Sequence, residues 1–231
     1  MLTAKTANEL RERLPETNIE VPSRSSGRTN EHVETYCIVR LLSSIPFQTD
    51  DFPISLSKRE SPDFLLIINK REVGIELIEA ITPNLAKEDA LRDKGHGPET
   101  YFIRPASIHA AMKSSKELIL EIEANKPTPG WYGDSVERSW AEAMAHFIDK
   151  KIETANSPKF ELFKENWLLV YDNWPAPALN HDKAIPMLYT RMELSNPWTT
   201  FNRIFILDEA VLLELLPETH IVHSVNHCLS K

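Results

Sequence analysis

The stretch 61–80, SPDFLLIINKREVGIELIEA, limits the fold more than any other part of the chain. Phe64-Leu65-Leu66-Ile67-Ile68 is an unbroken apolar run of strand length, and Val73-Gly74-Ile75-Glu76-Leu77-Ile78 alternates with a period of two. The polar tetrad Asn69-Lys70-Arg71-Glu72 between them predicts a turn, and the whole a β-hairpin. Two carboxylates interrupt it. Asp63 opens the first strand directly after Pro62, and Glu76 lies inside the second between Ile75 and Leu77. An ionised carboxylate in such a place is costly to desolvate unless a cation or hydrogen-bond donors compensate. On adjacent antiparallel strands the two can converge at one end, as an oxygen-rich site suited to a hard divalent ion.

Pro62-Asp63, followed by Glu76 on the next strand, resembles the signature of the PD-(D/E)xK phosphodiesterase superfamily, which includes many restriction and repair nucleases. The resemblance implies an α/β protein with a restriction-endonuclease-like αβββαβ core, its central mixed sheet flanked by helices. It implies that Asp63 and Glu76 bind Mg2+, with Mn2+ able to substitute, for hydrolysis of nucleic acid, DNA being favoured over RNA. Restriction, defence and mobile-element biology are the settings it suggests. The superfamily often supplies a further metal-side glutamate from the helix before its sheet, and Glu34 is in the matching place. One position departs from the pattern: the family's lysine, two residues after the acid, is Ile78 here.

A cation must then reach the site from a neighbouring element, or the chemistry must rely on metal alone. Residues 136–155, VERSWAEAMAHFIDKKIETA, predict a helix with Trp140, Ala141, Met144, Ala145, Phe147, Ile148 and Ile152 on its apolar face. Lys151 falls on that face, whereas Lys150 aligns with His146 and Glu153 on the polar side. The apolar strand NWLLVYD, 166–172, follows, so the helix is expected to pack on the sheet with Lys151 as the donor of the missing cation. Two outcomes are open: the ammonium meets Glu76, or it snorkels past Phe147 and Ile148 to solvent. The candidate catalytic residues are therefore Asp63, Glu76, Lys151 and Glu34, and the candidate metal ligands Asp63, Glu76 and Glu34.

Thr29 or Asn30 can cap a helix over 30–44, in which Glu34 shares a face with Cys37, Ile38 and Leu41. A glutamate on that stripe needs a partner. The alternative is a first-turn residue favoured by the helix dipole, a role that Glu31 fits better.

The remaining pattern predicts one α/β domain over 1–231: a mobile N-terminal segment 1–28, a nuclease-like core over about 29–173, and a C-terminal extension over about 174–231. Helices are expected over 3–14, 85–95, 109–125, 183–194 and 210–216, and further strands over 52–57, 201–207 and around Ile221-Val222. The loop 22–28, PSRSSGR, has the composition of a solvated linker, with phosphate contact by Arg24 and Arg28 as the alternative. Arg92, Arg104, Lys113 and Lys116 are scattered as on a solvated face, or else flank a polyanion. Glu79 falls on the strand face opposite Glu76. His220, His223, His227 and Cys228 look like a metal cluster on paper, but a strand through 220–223 points its two histidines to opposite faces.

With 26 Lys and Arg against 34 Asp and Glu, the net charge of −8 counts against a general nucleic-acid binder. It leaves a nuclease open, because bound metal offsets catalytic carboxylates and phosphate contacts depend on local patches. Two cysteines, Cys37 and Cys228, suit a reducing compartment, and the N-terminal MLTAKTANELRERL lacks a signal peptide's apolar core. A cytoplasmic protein without membrane partners is expected, and a homodimer is one open option. Two classes of function remain. Asp63, Glu76 and Glu34 favour a metal-dependent nuclease; Ile78 favours a catalytically inactive nuclease-fold protein acting as a binding or interaction module.

Overall fold

The computed structural model describes residues 2–225. Strand β1 (Leu2–Ala4) is followed by helices α1 (Ala7–Arg13) and α2 (Asn30–Ser44), then strands β2 (Ile54–Lys58), β3 (Phe64–Ile68) and β4 (Arg71–Ala80). Helices α3 (Pro83–Asp93), α4 (Ser115–Ala124) and α5 (Ser135–Ala155) lead to β5 (Glu165–Asp172). Helix α6 (His181–Met192) then leads to β6 (Arg203–Leu207), β7 (Val211–Leu216) and β8 (Thr219–Ser224). All eight strands form one mixed sheet in sequence order. The β4–β5 and β5–β6 pairs are parallel and the others antiparallel. Long helical crossovers join the parallel pairs, as parallel geometry demands.

Alternation along the strands gives each sheet face its own core. Phe64, Leu66, Val73, Ile75, Leu77 and Trp167 pack with α1 and α2, whereas Ala80, Leu168, Val170, Ile204 and Ile206 pack with α5 and α6. On β4, Glu76 and Ile78 therefore face α5, and Glu79 faces α2. Helix α5 buries Trp140, Ala141, Met144, Phe147 and Ile148. Burying each of the larger side chains contributes about 1.5–3 kcal/mol, so this stripe fixes the rotation of α5 and the direction in which Lys151 points.

Several elements differ from the sequence pattern, each for a local reason. The hairpin turn is two residues, not four: Asn69 and Lys70 take positive φ (42° and 72°), and Arg71 already pairs with Ile68. The helix expected over 3–14 is a strand and a shorter helix, because 2–4 pair with β2 (Leu2↔Leu56) and Thr6 caps α1. That pairing makes part of the 1–28 segment the edge of the sheet. The helix expected over 109–125 starts only at Ser115, where Ser114 and Glu117 form a capping box. Residues 210–216 form β7 rather than a helix. VLLELL has strand length as well as helical periodicity, and pairing on both sides with β6 and β8 decides between them.

Gly74, two residues before Glu76, holds a crowded position. A Cβ there would lie 2.8 Å from Phe163 Cδ2, 3.0 Å from Pro62 Cγ and 3.1 Å from Asn166 Oδ1. Gly74→Ala should therefore force Pro62 or Phe163 aside and destabilise the protein by about 1–3 kcal/mol. Urea denaturation should show a lower midpoint at unchanged slope; an unchanged midpoint would mean that the 62–63 corner is not tightly packed.

Candidate functional site

The pairing of Phe64 with Ile75 sets Asp63 beside Glu76 at the point where β3 begins and β4 continues past it. Beyond that point the edge of β4 has no strand partner on this side, and its backbone groups need other acceptors. Asp63 supplies one: its Oδ2 accepts from the Leu77 N–H at 2.7 Å. In return the Asp63 N–H lies 3.3 Å from Glu76 Oε2. The two carboxylates are thus fixed by the hairpin itself.

Helix α5 brings the third group. Lys151 Nζ donates to Glu76 Oε1 at 2.6 Å, with the two side chains only 17% and 7% exposed. Of the two outcomes open to Lys151, the ammonium meets Glu76 rather than solvent. Lys150 is exposed, its ammonium 5.4 Å from the centre of the Phe147 ring. Ile78, on the same strand face as Glu76, packs against the α5 core.

Glu34 is placed elsewhere. Its Oε2 lies 2.6 Å from Lys58 Nζ, and this contact raises the Lys58 ammonium above its ordinary range. Lys58 alternates with Ile54 and Leu56 onto the α2 face, so this pair lies across the sheet from Glu76. Glu34 is therefore paired with Lys58 and near enough to help raise the Asp63 carboxyl, whereas Asp63 and Glu76 touch directly. Among the described residues, no three His, Cys, Asp or Glu side chains gather into a group that could hold a metal ion.

Burial and the neighbouring Glu76 push Asp63 up to about 6, against the pull of the Leu77 N–H and Lys151. Asp63, crowded against Glu76, is thus a carboxyl short of positive charge. Magnesium takes one or two carboxylates from a protein and completes its shell with water and substrate oxygens. Asp63 and Glu76 fit that demand. Asp63 keeps an oxygen beyond the one bonded to Leu77, and Glu76 Oε2 has only the long contact to the Asp63 N–H.

The loop 22–28 is no solvated linker. Arg24 and Arg28 both donate to Glu79 Oε1, which also accepts from Asn173. Arg24 reaches Asp89 of α3 as well. The two arginines are 16% and 13% exposed and serve an internal carboxylate rather than an outer phosphate. The signal available in the sequence was Glu79, a strand carboxylate facing a core that had to be matched. Arg92, Arg104 and Lys113 are likewise paired, with Glu88 and Glu121. His223 hydrogen-bonds Glu214 at 2.8 Å, and its register opposite Leu212 sets it on the other face from His220. His227 and Cys228 lie outside the described residues.

Among described residues no helix is long and apolar enough to cross a membrane. Compared with known proteins, the chain matches no family model, no curated protein and no solved structure.

A carboxyl with a raised folded-state pKa stabilises the fold at low pH, and that contribution is lost as pH rises from about 4 to about 6. Asp172, pushed up to about 7 by burial, acts in the same direction, so the wild-type slope alone does not isolate Asp63. Asp63→Asn keeps an acceptor for Leu77 and removes the charge. In metal-free buffer at pH 8 it should raise stability by on the order of 1–2 kcal/mol, with no gain below pH 4. Thermal melts of both proteins across that range check this; an equal offset at all pH values would contradict it.

Proposed function

We propose that this chain is a metal-dependent phosphodiester hydrolase of nucleic acid, with Asp63 and Glu76 as its metal ligands and Lys151 as the cation beside them. The observation that carries the reading is the meeting of these groups from three elements, with Lys151 Nζ 2.6 Å from Glu76 Oε1. It is the carboxylate pair and cation that the PD-(D/E)xK resemblance implies, the cation coming from α5 because position 78 is isoleucine. The order α2, β2–β4, α5, β5 around the site supports the restriction-endonuclease-like core. In that description α3 and α4 are insertions, and β1, α1, α6 and β6–β8 are additions.

Magnesium, when bound, would polarise a phosphate oxygen and acidify a water. The chain's own groups do the rest. Asp63 and Glu76 supply fixed oxygens, and the Leu77 N–H keeps Asp63 from turning away. Lys151 offers N–H donors where negative charge builds on a phosphate. Net charge of −8 requires that a polyanion be met locally. Lys58 and Arg59 sit at the same corner, with side chains 48% and 34% exposed and the Arg59 N–H donating to the Asp63 carbonyl at 2.8 Å. DNA remains the favoured substrate.

A second reading, a nuclease-like fold kept as a binding module, draws on one observation: Lys151 and Lys58 already neutralise Glu76 and Glu34 without a metal. Incubation with duplex DNA, single-stranded DNA and RNA, with and without Mn2+, separates the two. The enzyme reading expects Mn2+-dependent cleavage that Asp63→Ala and Glu76→Ala abolish. Lys151→Met should cost about a hundredfold, and Lys150→Met less than about twofold. Absence of cleavage on all three substrates supports the binding module; cleavage that survives Asp63→Ala places the site elsewhere.

A further inference from the structure

We propose that Lys151 is the resident counter-ion of this site: its ammonium holds Glu76 in place of a metal and must leave Glu76 Oε1 when a divalent ion binds. The inference rests on the reading of Asp63 and Glu76 as metal ligands and adds what controls their loading. The oxygens themselves motivate it. Asp63 Oδ2 is committed to the Leu77 N–H at 2.7 Å, and Glu76 Oε1 to Lys151 at 2.6 Å. The oxygens left for a cation are therefore one from each carboxylate, beside an ammonium that already cancels one of the two charges. A divalent ion arriving at this site meets a net charge of one where two carboxylates alone would offer two, and it is repelled by the ammonium at close range.

The pair is also largely dry, with Glu76 7% and Lys151 17% exposed. A buried carboxylate that loses its partner is strongly destabilised and demands a replacement cation. Removal of Lys151 should thus leave a site that calls for metal, not an indifferent one. The geometry allows the exchange without moving the fold. Phe147 and Ile148 hold α5 on the sheet, so the lysine's flexible stem is the part that has to turn. Once released, the ammonium is still carried by α5 beside the two carboxylates. Lys58, at the same corner, does not substitute for it, because its ammonium is engaged with Glu34 at 2.6 Å.

The test is calorimetric titration of Mn2+ into the whole 231-residue chain without nucleic acid. Lys151→Met and Lys151→Gln should bind Mn2+ about tenfold or more tightly than wild type, the range by which one adjacent charge shifts an ionic equilibrium. Lys151→Arg, which keeps the charge, should stay within about threefold of wild type. Adding Asp63→Asn to either neutral variant should remove the gain. The glutamine variant, polar and one atom shorter, guards against a methionine variant that fails to fold. Mn2+ binding that needs Asp63 but is no tighter in the neutral variants would overturn the counter-ion role and leave the metal site standing. Failure of wild type and both neutral variants to bind Mn2+ would overturn the metal site and this inference together.

Discussion

Glu76 is a charged residue in the middle of a sheet, 6% exposed, and the site is built around keeping it there. Desolvating such a carboxylate costs several kcal/mol unless it is paired and hydrogen-bonded. Lys151 supplies the charge from α5, and Asp63 supplies an N–H from the neighbouring strand. Asp63 in turn can stand at the strand start because the free edge of β4 offers it the Leu77 N–H. Each partner thus answers a need created by another. A helix rotated by one position would bring Lys150 or Ile152 to Glu76, so the apolar stripe of α5 is part of the site's chemistry as well as of the core.

The same device recurs across the sheet. Glu79, three residues further along β4 and on the opposite face, gathers Arg24, Arg28 and Asn173 and so ties the 22–28 loop to the sheet. Glu214 of β7 accepts from Arg203 of β6 at 2.5 Å and bonds His223 of β8 at 2.8 Å, joining the C-terminal strands. Three strand carboxylates are therefore matched from different segments, and the match decides where those segments lie. What sets Glu76 apart is its neighbour. Glu79 and Glu214 each share an arginine with a further carboxylate, Asp89 and Glu165, whereas Glu76 is in direct contact with a second acidic residue, Asp63.

The hairpin, α2, α5 and β5 were legible in the sequence because each carries a periodic apolar pattern longer than its alternatives. Lys151 was legible for the same reason: its spacing from Phe147 and Ile148 assigns a helix face, and the face assigns a direction. Elements that depend on partners were not legible. VLLELL in β7 satisfies a short amphipathic helix as well as a strand, and only the flanking strands discriminate. Leu2–Ala4 is too short to declare itself a strand without β2 beside it. For Glu34 the helix face was legible while Lys58, the partner on that face, was not. Arg24 and Arg28 failed likewise, since loop composition says nothing of a carboxylate far along the chain.

The claim on which everything else hangs is that Asp63 and Glu76 share one divalent ion. Anomalous diffraction from crystals soaked in Mn2+ tests it directly. A single strong peak is expected within about 2.0–2.3 Å of an oxygen from each carboxylate, with the Lys151 ammonium displaced from Glu76. A structure in which Mn2+ is absent from this corner, with Lys151 still bonded to Glu76 at high metal concentration, would contradict it.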